Sequence, residues 1–400
     1  MKEVIRVKLT ETRRDGRVLR KAAFGRKEVW WDIEGPDPSL PRQLTRHDMA
    51  ATALVFYAMN QGANLFVDGP VSRSLLESLE DLVATWALWC PRFYKRIDVA
   101  AAEEIRDDGP APGAIGRAVT AFSGGVDSTF TVWRHVNKEA GRRSRDIFAA
   151  MLIHGMDIPL ANEAEFKTAT ANVFDTLSSI RVPLVVLRTN WRPEVCMYWE
   201  MEFGGAVAAC LRNWQGTADT GLMGSDHDYA RLILPWGNNP ITSSTLSSRD
   251  FSIVHDGGEF CRTEKVERVR NWTVGSQNLR VCWETPITGR NCGVCEKCLR
   301  TKLNFMAVGA SLPASLAETP SPMQIFRLKA PEKSSIAYLT EIIEVAQKRG
   351  VRGWWLNALR AATVKNWILL SVKLPLRTAV RGLIYIVKNN KRAFTRCRRV

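Results

Sequence analysis

The chain is defined first by several features it lacks. No apolar stretch reaches the roughly 18 residues of a membrane-spanning helix, so no spanning segment is expected. The opening residues Met1-Lys2-Glu3-Val4-Ile5-Arg6 lack the apolar core of a leader, so no signal peptide is expected either. Both absences predict a cytoplasmic setting. The nine cysteines are an odd number. Without an export signal they argue against a disulfide framework and for reduced thiols with a metal. Asp and Glu are missing altogether from residues 351–400, which carry Arg352, Arg360, Lys365 and nine further Lys and Arg. That tail holds most of the net charge of +15. The basic character therefore belongs to the tail, and the residues before it are nearly balanced.

Four hundred residues can bury a sizeable core in two or three domains. Residues 1–110 predict a small α+β domain. Val4 to Leu9 alternates, Arg14-Asp15-Gly16-Arg17 suits a hairpin turn, and Glu28 to Ile33 suits a third strand. Helical periodicity follows over 46–60 and 71–90, with the aromatic residues of this region as core. A Gly- and Pro-bearing linker at 108–113 leads into alternating strands and helices from 118 to about 235. Strands are expected at 118–122, 148–154, 182–187 and 220–224, with helices over 161–179 and 200–214. That alternation predicts a parallel, Rossmann-like α/β sheet.

Between the first of these strands and the helix from Thr129 to Val136 lies Ser123-Gly124-Gly125-Val126-Asp127-Ser128. A strand, a glycine turn and a helix place unpaired N–H groups and the helix dipole where an anion is favoured. Ser123, Ser128 and Thr129 add hydroxyls. Asp127 would repel phosphate unless a cation such as Mg²⁺ bridges them. No lysine follows the glycines, so this is not the GxxxxGK[ST] loop, and it is not GxGxxG. His154 and His227 stand at strand ends, where each could contact a nucleotide or serve as an ordinary loop residue; His227, flanked by Asp226 and Asp228, could also ligate a metal. The hydroxyl-rich run Ser243 to Ser248 reads as a substrate lid or a solvated turn. The charged stretch from Glu259 to Arg270 reads as a solvated helix face, or as the source of Arg262 or Lys265 for a departing pyrophosphate.

Cys282 is followed by Cys292-Gly293-Val294-Cys295-Glu296-Lys297-Cys298. Four thiolates so spaced can surround one tetrahedral Zn²⁺, and an iron–sulfur cluster is the alternative. Gly293 permits the reversal between ligands, and Lys297, Arg290 and Arg300 can offset the thiolate charge. With four protein ligands the site would be structural.

The string from Ser123 to Ser128 resembles the SGGxDS loop of the PP-loop ATP pyrophosphatases, of the HUP type of Rossmann-like fold. Joined to the cysteine run, it makes residues 118–310 similar to the 7-cyano-7-deazaguanine synthase family. The resemblance implies ATP on Phe122, Ser123, Gly124, Gly125, Val126, Asp127, Ser128 and Thr129. It implies zinc on Cys282, Cys292, Cys295 and Cys298, and a carboxylate adenylated and then attacked by ammonia. The activity expected is a carbon–nitrogen ligase that splits ATP into AMP and pyrophosphate, with Asp127, Ser128 and Lys265 carrying the chemistry. Departures from the family are the N-terminal region, the tail and the residues His154-Gly155-Met156-Asp157-Ile158-Pro159 after the second strand. They predict a different carboxylate or a nucleobase-like substrate.

Residues 320–400 predict a basic helical extension in which Trp354, Trp355 and Trp367 mix with Lys and Arg. Such a segment suits packing on the body, a peripheral position on anionic membrane, or RNA. Two other readings accompany the ligase: a PP-loop enzyme that modifies tRNA, and a non-catalytic nucleotide-binding protein at a membrane.

Overall fold

The computed structural model describes residues 2–282 and 287–372. The N-terminal meander consists of β1 (Val4–Arg14), β2 (Arg17–Phe24) and β3 (Lys27–Glu34), turned where Asp15-Gly16 was expected to turn it. Alternation along these strands puts Val7, Val18, Ala22, Val29, Trp31 and Ile33 in the core. Then come α1 (Asp48–Gln61), β4 (Asn64–Ser72), α2 (Arg73–Trp89) and β5 (Val99–Ile105). Neither β4 nor β5 was foreseen. β4 carries Asp68-Gly69-Pro70 inside its span, and β5 is Ala- and Glu-rich, so neither has a clean strand pattern.

The second half alternates: β6 (Arg117–Ala121), α3 (Val126–Val136), β7 (Asp146–His154), α4 (Glu163–Ser178), β8 (Leu184–Thr189), α5 (Trp191–Val195) and α6 (Trp199–Leu211). It continues with β9 (Thr220–Gly224), α7 (Pro240–Thr245) and β10 (Ser252–Asp256). Helices α8 (Arg262–Val269), α9 (Thr273–Gln277), α10 (Glu296–Ala307), α11 (Pro322–Phe326) and α12 (Lys333–Lys348) follow, and α13 spans 354–372.

The ten strands of the described residues share one sheet, in the order β10-β9-β6-β7-β8-β3-β2-β1-β4-β5. Counted within the second half, the order from β8 to β10 is 3-2-1-4-5, the Rossmann arrangement, with its reversal between β6 and β9. The N-terminal strands join it through β3, antiparallel to β8, with Trp31 opposite Thr189 and Ile33 opposite Leu187. The expected N-terminal α+β region is thus an extension of the same sheet. One core runs through both halves, from Trp31, Phe56 and Trp86 to Val119, Val185 and Phe251. Each such side chain taken from water contributes on the order of 2 kcal/mol.

On the opposite face, α3 and α4 pack with Phe122, Val132, Leu152 and Phe166. A further core joins α10, α12 and α13 through Leu299, Leu303, Leu339, Ile342, Leu356 and Leu359. The C-terminal helices therefore pack on the body up to residue 372. The remaining tail, 373–400, lies outside the described residues. The run Ser243 to Ser248 is neither lid nor solvated turn. It ends α7, and its hydroxyls are tied inward: Ser247 Oγ accepts from the Ile253 amide at 2.9 Å, and Ser248 Oγ donates to Asp250 at 2.8 Å.

Candidate functional site

The loop Ser123–Gly125 leaves the carboxyl end of β6 at the reversal of strand order and enters α3. In open α/β sheets this crevice receives ligands. Gly124 has φ +75°, a conformation that side chains strain to adopt, and it turns the chain into the helix. Gly125 is the N-cap, and no side chain caps the first turn. The hydroxyls order the loop instead. Ser123 Oγ accepts from the Gly125 amide at 3.3 Å, Ser128 Oγ accepts from the Ser123 amide at 3.3 Å, and Ser128 Oγ donates to the Gly125 carbonyl at 3.2 Å. Thr129 Oγ1 is buried without a hydrogen-bond partner. Phe122 and Val126 point away into the core, so they shape the loop through packing.

Asp127 stands at the mouth, partly exposed, and meets two cations. Arg262 hydrogen-bonds one carboxylate oxygen, and Lys265 Nζ lies 3.2 Å from the other. Burial alone would raise the Asp127 pKa, but the charges of Arg262 and Lys265 outweigh it and hold the group at about 2. Both residues of the charged stretch thus reach the loop, through the first two turns of α8. Lys265 is fully buried and also donates to the Ser225 hydroxyl at 2.7 Å. The start of α8 is set by the Glu264 carboxylate on the Cys261 amide (3.1 Å) and by Glu341 of α12 on the Thr263 amide (2.8 Å). Gly224, ending β9, lies so close that a Cβ there would sit 2.8 Å from the Asp127 carbonyl. Only glycine allows β9 and the first turn of α3 to meet this tightly.

The four cysteines come together beside this loop. Sγ of Cys282 and Cys295 are 3.8 Å apart, those of Cys292 and Cys298 are 3.9 Å apart, and all four lie within 4.8 Å of one another. A tetrahedral zinc site with Zn–S of about 2.3 Å spaces its sulfurs about 3.8 Å apart, so the set fits one such ion. Cys295 caps α10 and accepts the Cys298 amide at 3.4 Å, while Cys292 accepts the Cys295 amide at 3.3 Å. The hydrogen bond from the Cys298 thiol holds the Cys295 thiol below its ordinary range, and the helix N-terminus adds to it. The cluster can therefore hold a metal such as zinc. Among the described residues it is the one group of His, Cys, Asp and Glu side chains placed for a metal.

His227 belongs to no such group. Its ring stacks on Tyr338 of α12 with centroids 5.2 Å apart. His154 stacks on Phe166 at 4.0 Å, and its Nε2 lies 3.0 Å from the Pro159 carbonyl, so it braces the loop after β7. Burial lowers the pKa of both, which favours the neutral ring. Of the cations expected to offset the thiolates, Lys297 lines the cleft with Cys282. Arg300 instead lies 3.3 Å from Glu296 and 4.1 Å over the Tyr338 ring, and Arg290 is exposed.

Two residues that sequence reasoning missed connect the motifs. The Arg280 amide donates to the Gly124 carbonyl at 2.8 Å, and its guanidinium donates to the Ser123 carbonyl at 3.3 and 3.2 Å. Asn291 Oδ1 accepts from the Val281 and Cys282 amides at 2.8 and 3.2 Å, and its Nδ2 donates to the Leu279 carbonyl at 2.7 Å. Their only signal was position: each stands within two residues of a cysteine ligand. The resulting cleft, of about 70 Å³, is lined by Ser123, Asp127, Asp157, Arg262, Arg280 and Lys297 among others. It has room for a phosphate-sized group and a surplus of positive charge. No protein-family model, curated protein or solved structure matches this chain, so the reading of this site rests on its own residues and geometry.

Proposed function

We propose that this protein is a zinc-containing, ATP-dependent adenylating enzyme of the PP-loop type, similar to 7-cyano-7-deazaguanine synthase in its chemistry. The observation that carries the reading is the uncapped N-terminus of α3, set at the strand-order reversal and facing more buried cations than carboxylates. A polyphosphate satisfies both features at once, through N–H donors and guanidinium or ammonium partners. In this reading the amides of the glycine loop and the Ser123 and Ser128 hydroxyls hold phosphate oxygens. Asp127 would hold Mg²⁺, which supplies neutralising charge to the phosphates. Arg262 and Lys265 stabilise the pyrophosphate as its charge grows, and Arg280 keeps the loop in register with the cysteine module.

Adenylation needs a substrate oxygen to attack the α-phosphorus while the bond to the bridging oxygen breaks. A nitrogen nucleophile then adds to the acyl carbon, loses a proton and expels AMP to form an amide. A nitrile would require a second ATP to adenylate the amide oxygen, which then leaves with a second AMP. Catalysis rests on positioning and charge stabilisation, with no side chain assigned as general base. Zinc on Cys282, Cys292, Cys295 and Cys298 has a structural role, since four protein ligands close its coordination shell. Bound there, it would fix Cys282 in the wall of the cleft.

The test is native mass spectrometry of the whole chain with Mg-ATP, with metal analysis of the same sample. The expected result is one zinc ion per chain together with bound ATP or a retained adenylate, whose mass names the substrate class. A sample that binds no nucleotide overturns the enzyme reading. Iron with acid-labile sulfide overturns the zinc assignment.

A further inference from the structure

Helix α13 has two unlike faces. Trp355, Leu356, Leu359, Ala362 and Asn366 are buried against the body. The Asn366 amide fixes that face by donating to the Leu328 carbonyl at 2.9 Å, and Lys365 Nζ donates to the same carbonyl at 3.1 Å. A helix whose other side met only water would be polar there. The first outward turns are mixed, with Asn357 and Arg360 exposed beside the half-exposed Trp354. From the middle onward the outward side turns apolar: Val364, Trp367, Ile368 and Val372 are each half or more exposed. Val364, Ile368 and Val372 recur every four residues on one stripe, and Trp367 flanks it three residues after Val364. Met323 and Phe326 of α11 are also exposed, and Lys365 Nζ lies 4.9 Å from the Phe326 ring. Two helices thus bring apolar side chains to one area around a lysine.

The charge of this region has a single sign. Residues 351–400 contain twelve Lys and Arg and no Asp or Glu. A partner must therefore offer negative charge and an apolar medium together. An anionic bilayer surface offers both: acyl chains for the aliphatic residues, an interfacial layer for Trp367, and headgroups for the cations. RNA offers phosphates, but bases stack on aromatic rings and guanidinium groups and give no medium to Val364, Ile368 and Val372. We propose that the outward face of α13 docks this protein on an anionic lipid surface, for which the Lys and Arg of residues 351–400 supply charge of one sign. The docking is peripheral, since among the described residues no helix is long and apolar enough to cross a membrane.

The test is flotation of the full chain with phosphatidylglycerol-rich vesicles and with pure phosphatidylcholine vesicles. The double variant V364S/I368S keeps every charge and removes part of the stripe, so it separates apolar insertion from simple charge attraction. The expected result is flotation with the anionic vesicles only, with the double variant weakened by about tenfold or more. Unchanged flotation of that variant overturns the role of α13, and absence of flotation overturns the proposal. Tighter association with single-stranded RNA than with anionic vesicles overturns it in favour of nucleic acid. Circular dichroism and thermal melting of the variant show whether the fold is retained; these residues face outward, so a melt close to the parent's is expected.

Discussion

Where β9 and β10 begin, Asp48, Arg212, Gln215 and Asp250 meet in a buried network; where the same strands end, Asp127, Arg262 and Lys265 meet beside a cleft. In the first region charges are matched and enclosed. Asp48 accepts from the Ser72 amide (2.8 Å), the Ser72 hydroxyl (2.5 Å) and Gln215 (2.7 Å), with Arg212 3.7 Å away. Asp250 accepts from Arg46 at 2.9 Å, and Arg212 donates to the Leu246 carbonyl at 2.6 Å. These contacts tie the N-terminal helices to the Rossmann half. In the second region cations exceed carboxylates, a helix N-terminus is uncapped, and Asp127 is partly open. Enclosed and balanced charge holds the two halves together, whereas open and unbalanced charge leaves capacity for a ligand.

That contrast is open to direct tests. The largest effect is expected at the cysteine module. Cys298→Ser removes a buried ligand, so metal content falls to near zero and stability falls by about 5 kcal/mol or more, measured by metal analysis and denaturant melts. A stable, metal-replete variant would break the structural role. Next, Arg212→Ala leaves Asp48 and Asp250 with less compensation in a buried setting, and should cost about 3–5 kcal/mol in a denaturant melt. Nucleotide affinity should be unchanged in the folded fraction; a change there would mean that the two regions are coupled.

Lys265→Met keeps most of the buried volume and removes the charge. AMP formation should fall on the order of a hundredfold with stability altered by about 1 kcal/mol or less, read by a pyrophosphate-release assay and a melt. The reverse pattern would make Lys265 a structural residue. The smallest effect is the acid response. Asp127 is held at about 2 in the fold against 3.8 ordinarily. A lowered carboxylate pKa stabilises the fold above the unfolded value, and the contribution is lost as pH falls from about 4 towards 2. It amounts to roughly 2 kcal/mol. Melts across that range should show a shallower acid loss for Asp127→Asn; identical slopes would show that Asp127 does not contribute.

Several parts of this arrangement were legible in residues alone. Ser123 to Ser128 announces a turn into a helix because adjacent glycines and hydroxyls serve few other purposes between an apolar strand and an amphipathic helix. Cys292, Cys295 and Cys298 announce a ligand set because their spacing brings three sulfurs to one end of a helix. Other parts were not. Asp226-His227-Asp228 left metal ligation open beside an ordinary polar contact, and His227 stacks on Tyr338, more than a hundred residues away. Ser243 to Ser248 looked like an exposed loop, and its hydroxyls are drawn into the protein by Arg212, Asp250 and the Ile253 amide. Arg280 and Asn291 carry no motif; their roles arise because they bond to main-chain groups, which any sequence supplies.

The sequence by itself determined local matters: which cleanly patterned segments are strands or helices, where glycine lets the chain reverse, and which four thiols can share an ion. These follow from short-range sterics and from side-chain chemistry at fixed spacing. Only the tertiary structure decided that β3 pairs with β8 and so makes one sheet of two regions, that Arg262 and Lys265 both reach Asp127, and that the cysteines stand against the glycine loop. Those outcomes depend on contacts between residues more than a hundred positions apart. They are set by which apolar faces can be buried together, and no local pattern encodes that choice.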